Sequence, residues 1–102
     1  MSPIYVCPTR RRWGRGIWCH LFSEDIEALH QFAARIGLQR SWFQCPPAAK
    51  WPHYDIPLFR RTKAIEAGAI VATRKQFVEI ARRIQALTAM TAETEALGLY
   101  SE

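Results

Sequence analysis

The fold is set by residues 17–37, which read IWCHLFSEDIEALHQFAARIG. The first six of these residues are mostly aromatic or β-prone types, which predicts a strand. Ser23 then stands at a helix N-cap position, and two acidic residues follow it where the helix dipole favours anions. Apolar residues recur at helical spacing as far as Gly37, a residue type that commonly ends helices. This stretch therefore predicts a strand followed directly by a helix.

Further elements are predicted on both sides of this unit. Residues 4–7 (IYVC) form a short β-prone run that would pair with, or lie beside, the strand over residues 17–22. Downstream, residues 69–72 (AIVA) predict a short buried strand, which follows a helix that Gly68 would end.

A third helix is predicted to begin at Thr73, which has capping-box spacing to Gln76. The order of elements is then β, β, α, loop, α, β, α, which predicts an α/β domain, or an α+β domain, around a three- or four-stranded sheet. A chain of 102 residues is short enough for one core, so residues 1–90 are predicted to form a single domain. Residues 91–102 would be an acidic C-terminal tail with room for a short helix.

Positive charge is concentrated in the body of the chain. Residues 1–90 hold fourteen Lys and Arg and six acids, a net charge of +8, and residues 91–102 hold three acids and no base, which leaves +5 overall. An excess of this kind favours an anionic partner. No apolar run approaches the roughly 20 residues that span a bilayer, and the first residues lack a secretory pattern, so we expect a cytoplasmic protein with no membrane partner.

The three cysteines, Cys7, Cys19 and Cys45, form no CxxC pair and are odd in number. This pattern argues against a disulfide scaffold. A zinc site would need Cys19, His20, Cys45 and His53 to converge, and their spacing is not that of a zinc motif. We therefore predict neither a bound metal nor a cofactor.

The densest positive cluster surrounds Trp13. Arg12 and Arg15 flank this indole, together with Arg10 and Arg11. Guanidinium groups match the geometry of phosphate and an indole can stack on a base, so the cluster is a candidate nucleic-acid contact. The alternative interpretation is a solvated turn between two strands.

Residues 38–57 are rich in proline and tryptophan and predict a long loop, with residues 42–44 as a briefly extended piece. A loop of this length in a small domain is more often functional than idle. Its aromatic residues, Trp42, Phe43 and Trp51, either pack into the core or the loop, or one of them, with Trp42 as the candidate, offers a stacking face to a base. Gln44 would then read an edge of that base.

The end of this loop is predicted to lead into a helix. Asp55 or Ile56 would cap that helix, and Pro57 would lie in its first turn. His53 and Tyr54 would then face a cavity, where the helix N-terminus offers N–H groups to an anion. Basic residues one to two turns into the helix would add charge to the anion or form a solvent face. They are Arg60, Arg61 and Lys63.

His20 lies near the end of the second predicted strand, shortly before a helix start, where open α/β sheets place ligands. If His20 and His53 converge there, they are of the right type for paired general acid and base at a phosphodiester. Asp55 is the third catalytic candidate. The alternative is a pair of structural histidines, each bonded to backbone.

Several short strings together resemble one family of domains. They are His20-Leu21, Leu29-His30, Ile36-Gly37, Trp42-Phe43-Gln44, Pro46-Pro47, His53-Tyr54-Asp55-Ile56, Arg61, Ala64, Gly68-Ala69 and Thr73-Arg74. Over residues 4–77 the chain is similar to the domain-of-unknown-function family numbered four-zero-three-one, which is common in phage and bacterial genomes and has a His-Tyr-Asp-Leu/Ile signature. The resemblance implies a phage or prophage origin and a bacterial host cytoplasm, and it implies no particular activity.

One departure from that family concerns the end of the first strand. Family members usually carry acidic residues there, whereas this chain has Cys7-Pro8. The resemblance therefore implies no metal or acid–base role for this position.

These observations favour a binding module over two alternatives. The expected function is that of a small basic protein that binds a nucleotide or a nucleic-acid phosphate in a pocket formed by His20, the proline-rich loop and the His53-Tyr54-Asp55 motif. One alternative is a phage inhibitor of a host defence or regulatory protein, and the other is a small phosphodiesterase or nucleotide-modifying enzyme. We expect binding rather than catalysis. The expected ligand-binding residues are Arg12, Trp13, Arg15, His20, Trp42, Gln44, His53, Tyr54, Asp55, Arg60, Arg61 and Lys63.

Overall fold

A computed structural model describes residues 2–8, 11–13, 16–46 and 49–96. Within these residues, three helices pack against a mixed sheet of six strands. The predicted fold class is confirmed in its α+β form. The sheet has more strands than the three or four predicted, because the arginine cluster and the proline-rich loop both contribute strands of their own.

The second predicted strand is the centre of the sheet, as β3 (Gly16–Phe22). One edge of β3 pairs antiparallel with β1 (Tyr5–Val6) and with β2 (Arg11–Trp13). The other edge pairs antiparallel with β5 (His53–Pro57). The prediction that residues 4–7 lie beside the central strand is confirmed.

Two short strands extend the sheet further. β4 (Phe43–Gln44) pairs antiparallel with β5, and β6 (Ile70–Val71) pairs parallel with β1. The strand order is therefore β4-β5-β3-β1-β6, with β2 beside β3. β6 confirms a strand within residues 69–72. Its predicted burial is wrong, because Ile70 and Val71 sit on an edge strand and are 47% and 45% exposed.

The first helix, α1 (Ile26–Arg35), begins later than the sequence predicts. Its N-cap is Asp25, whose carboxylate accepts a hydrogen bond from a first-turn backbone N–H at 3.1 Å. The prediction of Ser23 as the cap is wrong, because the Ser23 hydroxyl instead donates to the backbone oxygen of Pro3 at 2.8 Å. Gly37 follows the end of the helix with a φ of +84°, which confirms the predicted stop.

The segment after the proline-rich loop is a strand rather than a helix cap. It forms β5, and α2 (Leu58–Glu66) begins directly after it. The prediction that Asp55 or Ile56 caps this helix is wrong, because both residues pair with β3 in the sheet. The N-cap is Pro57, whose side chain makes no capping hydrogen bond. Gly68, with a φ of +114°, follows the end of α2 as predicted.

The third helix, α3 (Arg74–Ala96), begins with the predicted capping box. The Thr73 backbone N–H donates to Gln76 Oε1 at 2.8 Å, and the Gln76 backbone N–H donates to Thr73 Oγ1 at 3.1 Å. The helix continues without a break through residues 91–96, whose side chains lie outside the described part of the chain.

Helices lie on both faces of the sheet. On one face, His30 of α1 is hydrogen-bonded to the Tyr54 hydroxyl of β5. On the other face, Phe77 of α3 stacks on His20 of β3, with ring centroids 5.6 Å apart. Among the described residues, no helix is both long enough and apolar enough to cross a membrane.

Candidate functional site

The alternation of side chains along the paired strands β3 and β5 brings the main candidate residues to one face of the sheet. His20 of β3 lies directly opposite Asp55 of β5. Side chains that are opposite in an antiparallel pair share a face, and successive side chains along a strand alternate between faces. His20, His53 and Asp55 therefore lie on one face of the sheet, and Cys19 and Tyr54 lie on the other.

The Asp55 carboxylate contacts both imidazole rings. Its Oδ1 atom lies 3.3 Å from His53 Nε2 and 3.6 Å from His20 Nε2. The two rings meet edge to face, with centroids 4.7 Å apart. The Asp55 side chain is 41% exposed, whereas those of His20 and His53 are 18% and 8% exposed. A half-exposed carboxylate thus covers two largely buried imidazoles.

A hydrogen bond to the backbone shows that Nδ1 of the His53 ring carries a proton. His53 Nδ1 lies 2.8 Å from the carbonyl oxygen of Trp51. A carbonyl oxygen accepts hydrogen bonds and cannot donate one, so Nδ1 carries the proton. The other ring nitrogen, Nε2, faces the Asp55 carboxylate at 3.3 Å.

The His20 ring is held by aromatic neighbours. Phe77 stacks on it at an interplanar angle of 11°, and Trp51 meets its edge with centroids 5.4 Å apart. Its Nδ1 atom is buried and has no hydrogen-bond partner among the described residues. Nε2 is therefore the nitrogen that His20 offers to Asp55.

A cavity of about 1020 Å³ opens above these three residues. Four aromatic rings and two positive side chains contribute to its wall. The aromatic residues are Trp18, Trp42, Trp51 and Phe59, and the positive residues are Lys50 and Arg60. Trp42 and Phe59 are 40% and 65% exposed, so aromatic faces remain accessible from solvent.

The start of α2 borders the same cavity, since Pro57, Phe59 and Arg60 all line it. The N-cap of α2 is Pro57, whose side chain makes no capping hydrogen bond to the first-turn N–H groups. Arg60 Nη1 donates to the backbone oxygen of Ile36 at 2.8 Å, close to the end of α1. This hydrogen bond fixes the position of the guanidinium at the cavity wall.

Comparison with known proteins places the chain in a family. Residues 4–84 match the family model of DUF4031, described as a protein of unknown function. The chain belongs to the DUF4031 family. Searches of curated proteins and of solved structures gave no match. The resemblance noted over residues 4–77 is thereby confirmed as family membership, and the family's description assigns no activity.

Several residues predicted for the site of this DUF4031 domain do come together around the cavity. They are His20, Trp42, Gln44, His53, Asp55 and Arg60. The convergence of His20 with His53, which sequence spacing left conditional, is thus present in the structure.

Other predicted residues lie elsewhere. Tyr54, expected to face the cavity, is on the opposite face of β5, where its hydroxyl lies 2.8 Å from His30 Nδ1. Arg61 does not line the cavity, and Lys63 lines a separate shallow groove near the end of α1. The side chains of Arg12 and Trp13, and all of Arg15, lie outside the described residues.

The site also contains residues that the sequence reasoning missed. Trp18 stands two positions before His20 on β3, so the period of two along a strand would have placed both on one face. Lys50 and Phe59 offered no comparable signal, because they reach the cavity only through the path of the loop and the start of α2. Trp51, one of the loop aromatics considered for stacking on a base, does line the cavity.

Two buried thiols lie next to the site. The Cys19 thiol hydrogen-bonds to Cys7 and so lowers the pKa of Cys7 to about 4. The same hydrogen bond, together with burial, raises the pKa of Cys19. The backbone N–H of His20 also donates to Cys7 Sγ, at 3.1 Å. Of the cysteines considered for zinc, Cys19 faces away from His20 and Cys45 is exposed, so the potential ligand set is different.

That ligand set consists of His20, His53 and Asp55. Each offers one donor atom, and the three atoms lie within 4.8 Å of one another. The sequence spacing predicted no metal site, because the two strands that bring these residues together are far apart along the chain.

Proposed function

We propose that the cavity binds a nucleotide or a short segment of single-stranded nucleic acid. The observation that carries the proposal is the composition of its wall, where four aromatic rings stand beside two positive side chains. Aromatic rings stack on bases of any sequence, and basic groups beside them follow the phosphates. Trp42 and Phe59 are the most exposed of these rings and are the proposed stacking surfaces.

Phosphate would lie at the start of α2. The N-cap residue there, Pro57, makes no side-chain capping bond, and the positive end of the helix dipole favours an anion. Arg60 stands at the same end of the helix and is held by its hydrogen bond to the Ile36 carbonyl. A guanidinium fixed in this way can meet phosphate oxygens at low conformational cost.

The test compares two variants with the same change of charge. Arg60→Gln removes the cation from the cavity wall, and Arg82→Gln removes one from an exposed position on α3 that does not line the cavity. We expect Arg60→Gln to weaken binding of mononucleotides and of single-stranded oligonucleotides about tenfold, or roughly 1.4 kcal/mol, and Arg82→Gln to change it less than twofold. Tryptophan fluorescence is the readout, because three indoles line the cavity.

Binding should also weaken as salt rises from about 50 to about 200 mM, because phosphate contacts release counterions. Thermal unfolding of both variants checks that the loss of the Ile36 contact has not unfolded the domain. If no nucleotide or oligonucleotide binds at low salt, or if both variants lose the same affinity, the proposal fails.

A phosphodiesterase or nucleotide-modifying activity is the second candidate. It is favoured by the contact of Asp55 with both His20 and His53, which places three proton-transfer groups at the cavity floor. Chromatography of oligonucleotide and nucleotide substrates after incubation with wild-type protein and with His53→Ala is the test. Unchanged substrate with the wild type, or equal turnover by both proteins, removes this candidate.

A further inference from the structure

The floor of the cavity has the composition of a metal site. We propose that His20, His53 and Asp55 bind one Zn²⁺ ion, with an open coordination position that faces the cavity. This inference goes beyond the proposed nucleotide binding, because the ion would bind whether or not a nucleotide is present.

The distances between the donor atoms fit a tetrahedral ion. Zinc holds nitrogen and oxygen ligands at roughly 2.0–2.1 Å, so two ligands of a tetrahedral ion are roughly 3.3 Å apart. Asp55 Oδ1 lies 3.3 Å from His53 Nε2 and 3.6 Å from His20 Nε2. All three donor atoms are within 4.8 Å of one another, so shifts of about an ångström complete the arrangement.

The hydrogen bond of His53 directs its second ring nitrogen at the site. Its Nδ1–H donates to the Trp51 carbonyl at 2.8 Å, which leaves Nε2 directed at a carboxylate oxygen 3.3 Å away. A cation between these two atoms, either a proton on Nε2 or a metal ion, satisfies both. The backbone hydrogen bond of Nδ1 is the outer contact that metal-bound histidines usually make.

Packing holds the two imidazoles in place before an ion arrives. His20 is stacked on Phe77 and touched at its edge by Trp51, and the Trp51 ring also lies 4.6 Å from the His53 ring. Side chains that are already ordered lose little entropy on binding. Asp55 supplies a negative charge that offsets part of the charge of the ion in these largely buried surroundings.

The ligand types favour zinc over the alkaline-earth ions. Two imidazoles and one carboxylate suit zinc and its transition-metal neighbours, whereas Mg²⁺ and Ca²⁺ prefer oxygen ligands. Three protein ligands beside an open cavity also match the zinc sites that keep one position for water or substrate, rather than closed structural sites.

An ion at this position would reverse the charge of the cavity floor. Asp55 alone would repel a phosphate, whereas an ion of charge +2 bound by one carboxylate leaves a net positive centre. The open coordination position could then accept a phosphate oxygen from a bound nucleotide.

Calorimetric titration of chelator-treated, tag-free protein with Zn²⁺ alone tests the inference. We expect one ion per chain for the wild type. Asp55→Asn and His53→Gln should each weaken binding at least about tenfold, because each removes a ligand. His30→Gln is the matched control, since this histidine lies on the other face of the sheet and bonds to Tyr54. It should bind Zn²⁺ within about twofold of the wild type.

Substitution of Co²⁺ into the wild type adds a readout that needs no variant to fold. A tetrahedral site of imidazole and carboxylate gives visible bands without a thiolate charge-transfer band, whereas capture of the ion by Cys7, Cys19 or Cys45 gives that band. A thiolate band, absence of one-to-one binding, or wild-type affinity in both ligand variants overturns the inference. Zinc binding without nucleotide binding leaves it standing and removes only the proposed function.

Discussion

The polar side chains on the two faces of β5 differ in how they are paired. On the core face, Tyr54 is 1% exposed and its hydroxyl is satisfied by His30 Nδ1 at 2.8 Å. On the cavity face, His53 Nε2 lies 3.3 Å from the Asp55 carboxylate, which is 41% exposed and also lies 3.6 Å from His20 Nε2. The first arrangement pairs a buried hydroxyl inside the protein, and the second leaves donor atoms of three side chains within reach of a ligand in the cavity.

The largest expected effect lies on the core face. Ile56 is fully buried, so Ile56→Ala should lower the free energy of unfolding by about 2–5 kcal/mol through lost burial and a cavity. Ile65→Ala is the matched control, because Ile65 on α2 is 37% exposed and should lose only about 1 kcal/mol. Urea unfolding gives both values. Equal losses would show that the core face of β5 does not carry the stability assigned to it.

A smaller effect, unequal on the two faces, is expected from the polar groups of β5. Tyr54→Phe leaves His30 Nδ1 without its partner and should destabilise the domain by about 1–2 kcal/mol. In metal-free protein, Asp55→Asn should change the free energy of unfolding by less than about 1 kcal/mol, because the Asp55 side chain is 41% exposed and its contacts are screened by solvent.

Urea unfolding in the presence of chelator compares these two variants with the wild type. Comparable destabilisation by Tyr54→Phe and Asp55→Asn would contradict the contrast between the faces.

Local signals in the sequence predicted the elements whose ends are defined by neighbouring residues. Gly37 and Gly68 mark helix ends because their positive φ values suit glycine, and the box of Thr73 and Gln76 is closed within four residues. The cap of α1 was misassigned for the opposite reason. Ser23 has a suitable hydroxyl, but that hydroxyl is used by Pro3, a partner that no local pattern reveals.

The candidate site was predicted only in part, because it depends on strand register. Because of Pro52 and Pro57, the segment that forms β5 resembles a loop that leads into a helix. In the structure, Pro57 is the last residue of the strand, a position where a sheet accepts proline. Because β5 is a strand paired with β3, the alternation of its side chains places Tyr54 on the core face. It places His53 and Asp55 on the same face as His20. The residue types were visible in the sequence, and their grouping required a pairing between distant segments.

The smallest expected effect is a dependence of stability on pH that arises from the core face. Burial lowers the pKa of His30 below its ordinary value, and the positive charge of Arg40 lowers it further, while Glu27 partly opposes the change. The unfolded chain, with a His pKa of about 6.5, then binds more protons than the folded domain at acidic pH. Stability from His30 is therefore complete above about pH 6.5 and falls as the pH drops towards the lower, folded-state pKa.

His30→Gln isolates this contribution, because glutamine does not titrate and the other two histidines remain. Urea unfolding of metal-free wild type and His30→Gln at several pH values between about 5 and 8 gives the difference. We expect the wild type to lose more stability than the variant as the pH falls below about 6.5, and the two profiles to run parallel above it. Parallel profiles throughout would mean that protonated His30 is accommodated in the folded domain. The His30 ring would then make no pH-dependent contribution to the free energy of unfolding that sets the core face apart from the cavity face.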